Sequence, residues 1–596
     1  MNLPLFVLAT FAGSAIVSIA APASAAHLSS APVSRLITSA VVRHDLRDLG
    51  VAPAATKVNI TVALNYRNAA ELTRLVDLQG TPGSPLFRHY LTPAQFAAEF
   101  GPTPASYGRV AQSLTAAGFR VTRTYRNRTM IDATGTAAAA TGLFKTEIHR
   151  VLQTKHGIRY ANATAASVPA SIAGDVLTVS GLDNLIKIKT SSLVFQHSHP
   201  GGKGHDTGAP IERIDEYGFE GYYPTAYAKA YQFPSQFGYT GLGQSIGIVM
   251  DSDIPQSDLV AFWQAAQIKR TGNINRITVD TYPGYQAATG DEGEAELDVQ
   301  QSSSLAPAAN VDLYMIADLS DPSVEDGYNL ILDQHAVQVV SSSFGTGELD
   351  DIPFAIATEN VAIQGAAEGM TFMSVAGDWG AYAPGVAADG SLYYEPYGVV
   401  IPGADPHFLS VGGTQLQADP KTGARISETA WNWDPTVDLG GGGGVSSYFP
   451  RPFYQNNVGG MANVPNVTIA PPSPQINRGF AGRNVPDISF NSAYVPSAYT
   501  AFYESDIGGW YEVAGTSVAS PVASALVAEW NQELHTQVGF VNPWLYASFD
   551  VFGFAPQGVY GGLFYDITSG NTGLQWNATR GYDQTTGIGS INNSQF

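Results

Sequence analysis

The chain has 596 residues, no cysteine and a net charge of −21, spread unevenly: residues 1–200 hold 18 Lys and Arg against 9 Asp and Glu, and residues 201–596 hold 12 against 42. The length exceeds one ordinary core and requires two or more domains, while the missing cysteines exclude disulfides, thiolate metal sites and cysteine nucleophiles. The acidic part repels phosphate and the basic part carries no nucleic-acid motif, which excludes nucleic acid as a partner; the asymmetry instead predicts that one part docks on the other.

At the N-terminus, Leu3 to Ala21 is almost wholly apolar and Ala23-Ser24-Ala25 is a small-residue cleavage site, so residues 1–25 are expected to be a signal peptide of a secreted product. No later stretch reaches the roughly 20 apolar residues of a membrane helix, so a soluble monomer is expected. Residues 57–65 alternate like a strand, 68–78 and 105–118 are helical with Gly118 as a C-cap, and 119–125, 130–133 and 146–153 are strands around a helix at 138–143. That alternation predicts a small α/β sandwich over residues 26–198. The Gly-, Pro- and His-rich run 196–210 marks a boundary, placed at 198/199 within 190–220.

Beyond it, apolar runs at 243–253, 311–316, 337–344 and 370–378 read as parallel strands. Helices at 324–335 and 353–367 lie between them. This predicts an α/β fold, a doubly wound parallel sheet with active residues at the carboxyl ends of its strands. The glycine run 440–444 reads as a flexible loop, since it lacks the strand-to-helix context of a phosphate loop.

Three motifs carry chemistry. Gly515-Thr516-Ser517-Val518-Ala519-Ser520-Pro521 opens an apolar helix, which puts Ser517 in a first turn where free backbone amides favour negative charge; a plain N-capping serine reads the same way. Subtilisin-like enzymes share this motif but draw their base from an HGT-type histidine motif, which is absent. His335, His407 and His535 stand in no comparable context. Glu294 and Asp298 lie four apart on one helical face, with Glu296 pointing elsewhere. Two close carboxyls share a proton and can take one from a serine, although a lone ExxxD also suits a solvated helix face. Asp378 ends an apolar strand in Ser374-Val375-Ala376-Gly377-Asp378; protonated, it can donate to an oxyanion, and a turn aspartate is the bland alternative.

In this order the motifs resemble the sedolisin family of serine-carboxyl peptidases, kumamolisin-like enzymes included. So do YYPTAYAKAYQFP (222–234), FLSVGGT (408–414), GGGVSSYFPRPFYQ (442–455), GRNVPDISF (482–490) and the N-terminal SPLFRHYLTPAQFAAEFGP (84–102), which is similar to the family's activation pro-domain. The resemblance implies a subtilisin-like catalytic domain at 199–596 and a pro-domain acting as its intramolecular inhibitor and chaperone. It implies Glu294 as base, Asp298 orienting it, Ser517 as nucleophile and Asp378 in the oxyanion hole. It also implies one structural Ca2+ held by the carboxylates of Asp566 and Asp583 and the carbonyls of Ile567, Thr579 and Gly581. Peptide or protein substrates, self-processing and an acidic optimum, roughly pH 3–5 from carboxylate reference values, are the expected behaviour. An exo-acting tripeptidyl peptidase and an inactive binding protein are the alternatives. Ala514 and Trp379 stand where the family has serine; Trp379 is expected to narrow or re-aim the site, and Thr579 replaces a usual glycine.

Overall fold

Val, Ile and Leu runs too apolar for one-sided exposure drive the chain after residue 220 into a sheet covered on both faces. The computed structural model describes residues 47–593 except 154–156, 186, 191–192, 196–204, 207–211, 215–219, 280–290, 387–391, 470–475, 496–497, 553–558 and 561–562. The expected signal segment, and the 196–210 linker apart from His205–Asp206, lie outside the described residues.

The N-terminal domain contains β1 (Lys57–Leu64), α1 (Ala69–Gly80), α2 (Pro104–Ala116), β2 (Arg120–Thr124), β3 (Met130–Thr136), α3 (Ala137–Phe144) and β4 (Val176–Ser180). Its antiparallel sheet has the order β2-β3-β1-β4. Alternate residues of β1, Val58, Ile60 and Val62, pack with Val110, Leu114, Phe119, Ile131, Ala140 and Phe144 in a core of their own. Thr103 caps α2, and Gly118 follows its end at φ 95°, the left-handed geometry expected of it. Two short strands continue the chain, β5 (Lys189–Thr190) and β6 (Leu193–Phe195).

The larger domain contains β7 (Ser245–Met250), β8 (Ile274–Thr278), α4 (Asp291–Leu305), β9 (Asn310–Met315), α5 (Asp321–Gln334), β10 (Val339–Ser342), β11 (Phe344–Gly347), α6 (Ile352–Ala367), β12 (Thr371–Val375), β13 (Phe408–Ala418), β14 (Arg425–Ala430), β15 (Ile488–Asn491), β16 (Gly509–Ala514) and α7 (Thr516–Glu533). Its eight-stranded sheet runs β8-β9-β7-β10-β12-β13-β14, with β15 also on β13; all pairings are parallel except β13 with β14. Strand order reverses between β7 and β10, so the carboxyl end of β10 lies at the switch point where such sheets bind ligands. The expected strand 337–344 is broken there. Ser343 separates β10 from β11, which leaves the sheet to pair elsewhere. Among the described residues no helix is long and apolar enough to cross a membrane.

The glycine run is packed rather than flexible. Gly440 N–H donates to the Asp378 carbonyl (3.0 Å) and Gly442 N–H to that of Gly377 (2.7 Å). A Cβ on Gly442 would sit 2.1 Å from the Ala376 carbonyl oxygen. Glycine is there for close approach.

Domain docking joins α1 and β4 to α6, and β1 to α5. Tyr66 Oη donates to the Asn360 carbonyl (2.9 Å), Ser180 Oγ to Glu325 (2.5 Å), and Lys187 Nζ to Asp351 (2.5 Å) with Asp321 and Asp183 both at 3.3 Å. Thr61 Oγ1 lies 3.3 Å from Asp132 and 3.3 Å from Asp326. Opposite charges meet in two ways: Arg126–Asp333 (3.2 Å) lies at the surface, where the arginine is 77% exposed and worth little, and the Lys187 pairs are buried. Carboxyls dominate the buried part.

Candidate active site

Helix α4 is buried from Glu292 to Leu305, which rules out a solvated acidic face. Glu294 and Asp298, both 0% exposed, stand one turn apart on its surface, and α4 packs against α7. Glu296 is directed elsewhere, accepting from Gln300 Nε2 at 2.9 Å. Burial pushes the Asp298 carboxyl up to about 8, against the downward pull of a hydrogen bond from Ser343 Oγ to Oδ1 (2.5 Å). Its Oδ2 has no hydrogen-bond partner among the described residues.

Ser517 is the second residue of α7. Gly515 caps that helix at φ 131°, a conformation L side chains rarely adopt. Pro521 lies inside the helix and has no N–H, so the Ser517 carbonyl lacks its usual helical donor. Ser343 Oγ approaches that carbonyl at 3.5 Å. The Ser517 hydroxyl donates to the Ser343 carbonyl at 3.3 Å. The resting bond of the candidate nucleophile is therefore to Ser343 rather than to Glu294.

Asp378 follows β12 after a left-handed Gly377 (φ 102°). Its Oδ1 accepts from Thr516 N (2.7 Å) and Thr516 Oγ1 (2.8 Å); Oδ2 has no partner among the described residues. Burial pushes this carboxyl up to about 7, with the Thr516 bonds opposing. A carboxyl that keeps its proton below neutrality is thus tied to the residue before Ser517. Trp379 is 7% exposed and bridges to Gly440.

None of the three histidines serves Ser517. His335 lies 3.2 Å from Glu368, His407 lies 2.6 Å from Glu359, and His535 follows the end of α7. Sequence reasoning missed Ser343, which joins Asp298 to Ser517. The available signal was three consecutive serines ending an apolar strand.

Strands β5 and β6 flank this site. Thr190 and Lys189 pair antiparallel with Phe344 and Gly345, and Leu193 pairs antiparallel with Ala514. Phe344 follows Ser343 directly, and Ala514 precedes Ser517 by three positions.

The candidate calcium ligands come together near the C-terminus. Gly581 N–H donates to Asp566 Oδ1 (3.3 Å), which joins the two segments. Asp583 accepts from the N–H groups of Thr579 (2.7 Å), Thr585 (3.0 Å) and Thr586 (2.8 Å). No backbone N–H among the described residues donates to the carbonyls of Ile567, Thr579 or Gly581. Gly581 has φ 89°, whereas Thr579 is not among the left-handed residues, so a side chain is tolerated there. Two carboxylates and three carbonyls are hard oxygens of the kind Ca2+ takes.

Both parts of the chain have relatives among known proteins. Residues 44–185 match the family model of the pro-kumamolisin activation domain. The chain is 30% identical over 570 residues to kumamolisin of Bacillus sp. (strain MN-32), covering 91% of each. It is 25% identical over 574 residues to tripeptidyl-peptidase 1 of Bos taurus, covering 91% of this chain and 92% of that one. Among solved structures, Pseudomonas sedolisin, a serine-carboxyl proteinase complexed with two molecules of pseudo-iodotyrostatin, superposes with a TM-score of 0.52 at 27% identity, covering 62% of this chain and 95% of the other.

Proposed function

Because the chain belongs to the sedolisin family of serine-carboxyl peptidases, we propose that it is a secreted, self-processing endopeptidase zymogen that works in acid. In this reading Ser517 attacks the scissile carbonyl and passes its proton to the Glu294/Asp298 pair, which returns it to the leaving amine. Asp378, protonated, donates through Oδ2 to the oxyanion, supported by the N-terminal amides of α7. Acid action follows from burial: carboxyls held at about 7 and about 8 carry their protons below neutrality.

The observation that carries the endopeptidase reading is the pairing of the precursor's own strands β5 and β6 with the segments that flank Ser517. Strands β5 and β6 pair on either side of Ser517, as a bound substrate would. Such a cleft admits chain at both ends, which favours endo-action over tripeptidyl release, and a bound strand beside an intact quartet disfavours the inactive binding protein. The first self-cleavage is expected between Thr190 and Leu193, with β1 to β5 released as the pro-domain and the larger domain left active. Purified precursor sampled at short times in acid is expected to show a first new N-terminus at 191, 192 or 193. A first-formed N-terminus outside this window would refute the register, and a precursor that cleaves neither itself nor an unfolded protein would refute the function.

For the metal, Asp566 and Asp583 and the carbonyls of Ile567, Thr579 and Gly581 would hold one Ca2+, which in a cysteine-free chain clamps two segments. A chelator is expected to lower the melting temperature, the linkage being about 2.7 kcal/mol when calcium stands a hundredfold above its Kd. Unchanged thermal unfolding, with no calcium found in the purified protein, would remove the site.

A further inference from the structure

Ser343 belongs to none of the motifs that carry the family likeness, yet it touches both halves of the proposed machinery. It is 0% exposed and stands where the chain leaves the central sheet, between β10 and β11. We propose that Ser343 is a positioning residue, its hydroxyl orienting the Asp298 carboxyl and its carbonyl parking the Ser517 hydroxyl until substrate arrives. This rests on the peptidase reading above.

A serine hydroxyl has one hydrogen to give. At 2.5 Å from Asp298 Oδ1 and 3.5 Å from the Ser517 carbonyl, that hydrogen goes to the carboxyl. Oδ1 is thereby fixed as an acceptor, and Oδ2, with no other partner among the described residues, remains for the proton shared with Glu294. A carboxyl free to rotate would present either oxygen. The bond therefore selects which oxygen holds the proton, and it favours the ionised form of Asp298.

The two preceding serines are spent elsewhere. Ser341 Oγ lies 2.9 Å from Ser520 Oγ, and Ser342 Oγ lies 2.6 Å from Tyr328 Oη. Only the third reaches Asp298. Two sets of charged groups surround α4: Glu292, Asp258 and Glu504 gather near Glu296, whereas Asp291, seven positions before Asp298 and so on nearly the same face, pairs with Asp251 just after β7 and has Lys189 of β5 nearby. Glu296 itself lies about 160° round the helix from Asp298. Asp378 reaches the site from β12 through Thr516.

Substituting Ser343→Ala removes the hydroxyl and keeps the carbonyl, so the test separates orientation of the pair from substrate binding along β11. In enzyme obtained by self-processing of the full precursor, kcat is expected to fall by roughly 10- to 100-fold with KM little changed. The acid limb of the pH profile, where the Glu294/Asp298 pair takes up its second proton, is expected to move to higher pH by about one to two units, the worth of one lost hydrogen bond to a carboxylate. Ser343→Thr restores that limb, and Ser341→Ala leaves it in place. Profiles of wild type and Ser343→Ala that superimpose on both limbs would overturn the proposal, whatever happens to the rate. So would a loss confined to KM. Wild-type enzyme inactive towards peptides would fell the peptidase reading itself, and this role with it.

Discussion

Ser517→Ala is expected to abolish both self-processing and peptide hydrolysis, with a loss on the order of 10⁴- to 10⁶-fold in kcat. The size follows from what the hydroxyl does in the proposed mechanism: it forms the covalent intermediate, and the neighbouring serines are engaged elsewhere. Ser520, one turn further along α7, is engaged with Ser341. Ser343 gives its hydrogen to Asp298. The variant keeps its fold because Gly515, Thr516 and Pro521 set the helix start without the Ser517 side chain. Incubating purified Ser517→Ala precursor in acid, with no other protease present, is the check. Cleavage at the wild-type rate would transfer the nucleophile elsewhere, and Ser520→Ala would then be the variant to lose activity.

Much of this site was legible because each motif is local and ends a regular element. Ser517 opens a helix, Asp378 closes a strand, and a four-residue spacing puts Glu294 and Asp298 on one face whatever the tertiary structure. Ser343 was not legible for the complementary reason. Its importance comes from a break in the strand, and a run of small polar residues does not say which of them turns toward a neighbour. The glycine run failed differently. Composition reports conformational freedom, but not the Ala376 and Gly377 carbonyls that fill the space a side chain would need.

Net charge was a partial guide to docking. Opposite totals favour long-range association, which salt screens, but the buried contact is rich in carboxyls. Burial holds Asp77 up to about 6 and raises Glu325 well above the ordinary range. The sign is therefore opposite to that of the surface attraction. A carboxyl whose docked value is raised stabilises docking as pH falls below that value and weakens it as pH rises through it. Acid thus loosens the long-range attraction and the buried pairs of Lys187 with Asp351 and Asp321, and tightens the contacts of Asp77 and Glu325. In the proposed mechanism, release of the pro-domain depends on the cut between Thr190 and Leu193, rather than on protonation alone.

Substitutions at Asp378 separate the charge of that residue from its hydrogen-bonding role. Asp378→Ala removes the proposed oxyanion donor and leaves Thr516 N–H and Oγ1 without their acceptor, so kcat is expected to fall by about 10²- to 10³-fold. Asp378→Asn keeps the shape. Its Oδ1 accepts both Thr516 bonds as before, and its Nδ2 occupies the place of Oδ2 and donates at every pH. Activity within roughly tenfold of wild type is expected. The pH dependence is the sharper test. In the wild type a carboxyl held at about 7 donates fully below that value and is lost as a donor when pH rises through it. With Asn in place that loss disappears, and the alkaline limb moves upward until Asp298, at about 8, gives up its own proton. Profiles of kcat/KM against pH for mature enzyme decide the matter. If Asp378→Asn is as damaging as Asp378→Ala, with its alkaline limb unmoved, then Asp378 acts as an anion and the protonated-donor mechanism fails.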